Sequence, residues 1–294
     1  MRTSWKLGTA FGIGIYVHIS FLLLPLYVLL ENGTEGGLAV IGFMMALLAA
    51  LFGCVVLHEL GHALMARRFG IGTRDITLYP IGGVARLDGV GRSPSQELCI
   101  ALAGPAVNVV IAALLCALII PIVSITGIAH AGSHFGILGL NPIEDFLVQL
   151  MVMNVFMVLF NLLPVFPMDG GRVLRSLLSM KLGQLRATVI ATRIGSVLAL
   201  VMVFLAIRYG AVFLGIGAVF IWFAGQQELL ALRMRERIRH ADPIDVLPAD
   251  DKMEYALTPP REANFSGYTW NDRLHAWVLW RDGRAVAAFS VPAE

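Results

Sequence analysis

Uncharged apolar runs of roughly bilayer-crossing length recur along this chain, and they constrain its fold more than any other feature. A spanning helix needs about 20 mostly apolar residues, because the hydrocarbon core is about 30 Å thick and each residue of helix advances about 1.5 Å. Six runs can be marked: Leu7 to Leu30, Leu38 to Leu57, Leu98 to Thr126, Phe146 to Leu163, and two shorter ones, Ile194 to Ile207 and Ala211 to Ala224. Only 14% of the 294 residues are charged, against about 25% in soluble domains, so a water-soluble globular fold is excluded. The expected class is an all-α polytopic membrane protein with six transmembrane helices.

The first run follows Met-Arg-Thr-Ser-Trp-Lys, as a signal peptide would, but it is too long for a signal core and lacks a small-residue cleavage site before Glu31. Its later part is expected to be a retained span, and its first third, Gly8 to Gly14, reads as extended. Lys and Arg collect on the cytoplasmic side of membrane proteins. With the N-terminus inside, the inner segments hold Arg2, Lys6, Arg67, Arg68, Arg74, Arg86, Arg92, Arg172, Arg175, Lys181, Arg186, Arg193 and the arginines from Arg233 to Arg239, while the outer segments hold Arg208 alone. Both termini are therefore expected in the cytoplasm, in a multi-pass protein of the cell (inner) membrane.

Between the second and third spans, Asp75 to Leu87 is rich in β-prone residues and broken by Pro80 and Gly82-Gly83, which predicts two short strands in a small membrane-associated sheet. Residues 1–230 form the expected membrane domain. Residues 231–294 read as a polar linker from Ala241 to Ala263 and a short β-rich cytoplasmic tail, where Asp282-Gly283 between two β-prone runs signals a hairpin. The tail aromatics Tyr268, Trp270, Trp277 and Trp280 suit the core of a small β unit. A net charge of +2 with no basic stripe argues against a nucleic-acid partner. Cys54, Cys99 and Cys116 lie in apolar runs and imply no disulfide framework.

The second span ends in His58-Glu59-Leu60-Gly61-His62. Imidazoles four residues apart share a helical face about 6 Å apart along the axis, so both can reach one Zn²⁺, and Glu59 beside them suits a general base toward a zinc-activated water. Ionisable groups inside a span are costly and usually functional. A third ligand is needed. Cys54 is about 12 Å of helix rise from His62 and cannot share an ion with both histidines. Glu97 and Glu144-Asp145 sit at span boundaries, where solvated carboxylates are ordinary, and His130 and His134 fall in an outer loop. Asp169, after two prolines and before Gly170-Gly171, sits in backbone expected to leave the helix and turn at the glycines. Irregular backbone at membrane depth is tolerated only beside a cavity or within protein, so geometry favours Asp169.

Taken with Asn161-Leu-Leu-Pro-Val-Phe-Pro-Met-Asp-Gly-Gly-Arg172, Leu78-Tyr-Pro-Ile-Gly-Gly-Val-Ala85, Ala103-Gly-Pro-Ala-Val-Asn108 and Val17-His18-Ile-Ser20, the His-Glu-Leu-Gly-His motif resembles the site-2 protease family of intramembrane zinc metalloproteases, its archaeal and sporulation-type branch most. The resemblance covers roughly residues 8–230. It implies one zinc per chain, a catalytic core in helices two to four, and hydrolysis of transmembrane or membrane-associated substrate segments, such as membrane-tethered transcription factors or anti-sigma factors. The chain departs from that branch after the last span, where residues 240–294 are too few for paired cystathionine-β-synthase domains, so no nucleotide-binding module is expected.

Asn108 has two readings, an oxyanion donor and an interhelical hydrogen bond, and Asn161 has the same two. Asn108, Asn154, Asn161 and Asp169 are the polar groups available to line a water route from the cytoplasm. The segment around Ile76, Leu78, Gly82, Gly83 and Val84 offers an edge to which an extended substrate could add as a strand. His18 reads as a neutral imidazole bonded to a backbone carbonyl. The competing readings are an inactive relative that holds membrane helices without cutting them, and a metal-dependent transporter.

Overall fold

The computed structural model describes residues 3–32, 37–80, 82–88, 93–126, 141–240, 243–244, 265–272, 276–281 and 284–290. The histidine pair at 130 and 134, the linker at 241–263 apart from residues 243–244, and the Asp282-Gly283 turn lie outside the described residues. The chain forms two compact units, residues 1–225 and 226–294.

Among the described residues, five helices are long and apolar enough to cross a membrane: α2 (Gly37–Arg68), α3 (Pro94–Thr126), α4 (Pro142–Asn161), α6 (Gln184–Tyr209) and α7 (Val212–His240). Their apolar side chains point outward as well as inward. On α6, Val197, Leu200 and Phe204 are each more than 60% exposed, which is stable only against lipid. The first apolar run bears out the extended reading of Gly8 to Gly14, but the extended part reaches further on both sides and leaves a shorter helix than expected. Its N-terminal part forms two strands, β1 (Ser4–Ala10) and β2 (Ile13–His18), and only Ile19 to Asn32 is helical, as a 3-10 turn (Ile19–Leu22) leading into α1 (Leu23–Asn32). Fourteen helical residues rise only about 20 Å, short of the bilayer core.

The predicted strand pair is present as β3 (Thr73–Tyr79) and β4 (Gly82–Leu87). They join β1 and β2 in one four-stranded sheet of order β1-β2-β3-β4, in which β2 and β3 are parallel and the other pairs antiparallel. One face of the sheet packs on α2. Ile13 and Ile76 meet Leu60 and Ala63, and Val17 and Leu78 meet Phe52 and Val55. The strands therefore sit against the part of α2 that carries the histidine pair.

An amphipathic helix absent from the sequence expectation, α5 (Asp169–Leu182), follows α4 after a short connection. Val165 in that connection is fully buried and packs with Ala199 of α6 and Ala218 and Ile221 of α7. The last two spans thus brace the segment leading to Asp169.

The unit spanning residues 226–294 contains a second antiparallel sheet of order β5-β8-β7-β6, built from β5 (Pro243–Ile244), β6 (Gly267–Asn271), β7 (Ala276–Arg281) and β8 (Arg284–Ser290). Val278 and Trp280 pack with Phe265 and Ala285 on one face. Trp270 and Trp277 meet edge-on across the β6–β7 pair, and Trp270 and Tyr268 remain exposed.

Candidate active site

One turn of α2 separates His58 from His62, and their rings stand edge to face with centroids 4.7 Å apart. The two Nε2 atoms are 3.1 Å apart, and Asp169 Oδ2 lies 3.1 Å from His62 Nε2 and 3.2 Å from His58 Nε2. All three residues are buried. The three atoms make a nearly equilateral triangle. Tetrahedral coordination with bonds of about 2.0–2.1 Å places ligand atoms about 3.3 Å apart, so the spacing fits one zinc ion.

The hydrogen bonds on the far side of each ring support the same conclusion. His62 Nδ1 lies 2.7 Å from the Ile100 carbonyl, which can only accept, so Nδ1 carries the proton. His58 Nδ1 lies 2.7 Å from Asn108 Oδ1, likewise an acceptor. Each Nε2 then presents a lone pair, and with the Asp169 oxygen three acceptors converge on one point. A cation resolves that convergence. Among the described residues no other group of three or more His, Cys, Asp or Glu side chains gathers in this way.

Glycines make this approach possible. A Cβ on Gly61 would come 2.7 Å from the Ala103 carbonyl, so its absence lets α2 and α3 close together. Gly104 of α3 then lies directly against both Nε2 atoms. Glu59 points to the sheet instead: a Cβ on Gly83 of β4 would meet its Cγ at 2.6 Å, and the Ala85 N–H hydrogen-bonds it. Among the described residues β4 is the last strand of the sheet, so Glu59 lies over its outermost strand.

Asp169 is delivered by a non-helical connection. The chain leaves α4 at Leu162, bends with the Val165 N–H donating to the Leu163 carbonyl at 2.7 Å, passes a cis Phe166–Pro167 bond, and enters α5. The turn expected at Gly170-Gly171 is therefore completed before Asp169. Both glycines are helical, in the first turn of α5. A Cβ on Gly170 would collide with the Leu162 and Leu163 carbonyls, and one on Gly171 would lie 2.6 Å from the Val165 carbonyl carbon. They are small because α5 starts against the backbone of the loop.

Other sequence expectations are sorted by burial. Asn108 and Asn154 are fully buried and bonded to each other at 2.8 Å, so they line no water route. The Asn108 amide nitrogen is directed at Asn154 Oδ1 and Met157 Sδ, the interhelical arrangement. Asn161 ends α4, half-buried. Ile76 and Leu78 are core residues of β3, an inner strand, whereas Gly82, Gly83 and Val84 belong to β4, the outermost strand among the described residues. His18 Nδ1 is bonded to Ser20 through both its hydroxyl and its N–H, not to a carbonyl, and its ring packs near Tyr79. The boundary carboxylates are not solvated. Glu97 is buried in an ion pair with Arg175 of α5, and Asp145 is fully buried with Oδ1 accepting from Gln149 Nε2 at 2.9 Å.

Sequence reasoning missed Gly104 and Arg175 as parts of the site. Gly104 carried a readable signal, a Gly-Pro pair inside an apolar run, although α3 continues through both residues without a break. The pairing of Glu97 with Arg175 joins positions 78 residues apart, which a pattern of local spacing does not reveal.

A polytopic helical membrane fold whose two histidines and one aspartate converge beside a glutamate defines a class of intramembrane metallopeptidases. The profile of peptidase family M50 matches residues 46–202. A zinc metalloprotease of Methanocaldococcus jannaschii is 34% identical over 250 residues, covering 84% of this chain and 67% of that protein. Stage IV sporulation protein FB of Bacillus subtilis is 31% identical over 146 residues, covering 48% of this chain and 43% of that protein. The solved site-2 protease from Methanocaldococcus jannaschii superimposes with a TM-score of 0.54 at 35% identity, covering 77% of this chain and 95% of that chain. The chain belongs to peptidase family M50, the site-2 protease family of zinc metalloproteases. It spans about half to two thirds of the length of the first curated relatives it matches.

Proposed function

We propose that the protein is an intramembrane zinc endopeptidase that hydrolyses peptide bonds in transmembrane or membrane-associated protein segments. The observation that carries this reading is the triangle of His58 Nε2, His62 Nε2 and Asp169 Oδ2 with Glu59 beside it on a membrane-length helix. Zinc in that triangle supplies a Lewis acid that polarises a carbonyl and acidifies water. Glu59 accepts a proton from the attacking water as the C–O bond forms, and returns it to the leaving amine nitrogen as the C–N bond breaks. Gly83 and the Ala85 N–H hold the Glu59 carboxylate at the edge of β4.

The outer edge of β4 is where we place the substrate, as an added strand running past Glu59. A helical substrate hides its carbonyls in its own hydrogen bonds, and pairing with β4 offers replacement partners for the unwound backbone. Ile76 and Leu78 support this edge from the inner strand and do not themselves offer one.

Pairing of β2 with β3 supports six crossings. Hydrogen-bonded strands lie on one side of the membrane, yet α2 crosses between them, so the apolar helix Ile19–Asn32 has to return the chain across the bilayer despite its short rise. The Lys and Arg distribution places that side, both termini and the site toward the cytoplasm, in a cell inner membrane. Residues 1–230 are the protease domain and 231–294 a cytoplasmic tail. A membrane-tethered regulator, such as a transcription factor or anti-sigma factor, is the class of partner this arrangement suits.

The test is Glu59→Gln in the full chain with a membrane-spanning model substrate. We expect zinc content unchanged and turnover reduced by about 10²- to 10⁴-fold, the usual worth of a general base. Cleavage near the wild-type rate removes Glu59 from that role. Absence of cleavage by the wild type across membrane substrates, with zinc bound, favours the inactive helix-binding relative.

A further inference from the structure

Asn154 lies fully buried in the middle of α4, a helix that carries none of the three converging ligands, yet it ends a polar chain that reaches His58. Its Nδ2 donates to the Leu150 carbonyl at 2.8 Å. A backbone carbonyl can only accept, so this contact decides which end of the Asn154 amide is nitrogen. Its Oδ1 accordingly accepts from Asn108 Nδ2 at 2.8 Å. Asn108 Oδ1 is thereby turned to His58 Nδ1 at 2.7 Å, which places the proton on Nδ1 and frees Nε2 for the metal.

The two histidines are thus held differently. His62 bonds directly to the backbone of α3 through Ile100. His58 depends on two side-chain amides in series, anchored on a third helix. Were Asn108 rotated by half a turn, its NH₂ would face His58 Nδ1, the proton would move to Nε2, and the lone pair needed by zinc would be lost. The second N–H of Asn154 is directed at Cys54 Sγ, 3.4 Å away on α2 and one turn before His58. Asn154 therefore ties α4 to α2 at both levels.

We propose that Asn154 is a positioning residue for the metal: it orients the Asn108 amide and through it sets the tautomer and aim of His58, so that zinc affinity is controlled from a helix without a ligand. This rests on the reading of His58, His62 and Asp169 as zinc ligands. Outer partners of this kind commonly change metal affinity by about 10- to 100-fold.

The experiment uses the full chain in detergent and measures zinc affinity by chelator competition, the visible spectrum of the cobalt-substituted protein, and thermal unfolding of the metal-free form. Asn154→Leu, similar in size but without an amide, is expected to weaken zinc by about 10- to 100-fold and to alter the cobalt spectrum. Asn154→Ala carries the same expectation if leucine prevents folding. Asn154→Asp, which as a neutral acid donates to Leu150 and accepts from Asn108, is expected to restore affinity to near the wild-type value. Combining Asn154→Leu with Asn108→Leu should weaken zinc no more than Asn108→Leu alone, because the two amides act in series. Wild-type zinc affinity in Asn154→Leu with reduced thermal stability would make Asn154 a packing residue only, and additive effects in the double variant would break the relay. Full zinc affinity in His58→Ala would instead overturn the ligand reading itself.

Discussion

Gly104 of α3 stands directly against the imidazole of His62: a methyl group on its α-carbon would overlap His62 Nε2 and come within 2.8 Å of His58 Nε2. Gly104→Ala is therefore expected to lose zinc, with metal per chain falling by an order of magnitude or more in the purified protein. Alanine favours a helix over glycine by about 1 kcal/mol, so helix content by circular dichroism should hold. A variant that keeps zinc at wild-type affinity would mean that α3 does not abut the ligands.

Gly83 offers the complementary case, because the side chain it would touch is Glu59 and not a ligand. A Cβ there would sit 2.6 Å from Glu59 Cγ, too near the backbone of α2 for the carboxylate to swing clear cheaply. Gly83→Ala should retain zinc and lose roughly 100-fold in turnover, the scale expected when a catalytic group is displaced by about 1 Å. Zinc loss in this variant, or an unchanged rate, would contradict the placement of Glu59 at β4.

Strand addition to β4 predicts a periodicity in the substrate. Successive residues of a strand turn their N–H groups to opposite edges. Methylating backbone nitrogens of a substrate peptide one at a time should depress cleavage at alternate positions and spare those between. Losses of equal size at every position, or none, would rule out β-pairing as the docking mode.

The sequence conveyed α2 and its histidine pair through local spacing, because a four-residue separation fixes a shared helical face. It also carried β3 and β4 through β-prone runs broken at Pro80 and Gly82-Gly83. Exclusion of the other carboxylates leaves Asp169, although the glycines after it form no turn. A Gly pair signals a turn by its backbone freedom, but Gly170 and Gly171 are helical and small for close packing against the loop from Leu162 to Val165. Those two causes are indistinguishable until the tertiary contacts are known. The extended reading of Gly8 to Gly14 catches only part of β1 and β2, for a related reason. Both strands and α1 draw on one apolar run, and periodicity alone does not separate a buried strand from a helix in such a run. The Asn108 amide had two readings because its partner Asn154 lies 46 residues away on another helix.

Arg175 and Glu97 form a buried ion pair that fastens α5, the helix begun by Asp169, to the first turn of α3. The Arg175 guanidinium also lies 5.1 Å from the centroid of the Phe166 ring in the connecting loop, so one cation holds both the helix and the loop that present Asp169. Removing one partner of a buried pair leaves an uncompensated charge and costs about 3–5 kcal/mol. Glu97→Leu alone should lower the unfolding temperature of the detergent-solubilised protein sharply, while Glu97→Leu combined with Arg175→Met should recover much of the loss, since an apolar pair avoids desolvating either charge. Because the apolar pair still lacks the directional tie to α5, zinc affinity in the double variant is expected to stay below wild type even where stability recovers. Equal recovery of stability and zinc affinity would show that the pair supports folding alone and has no part in placing Asp169.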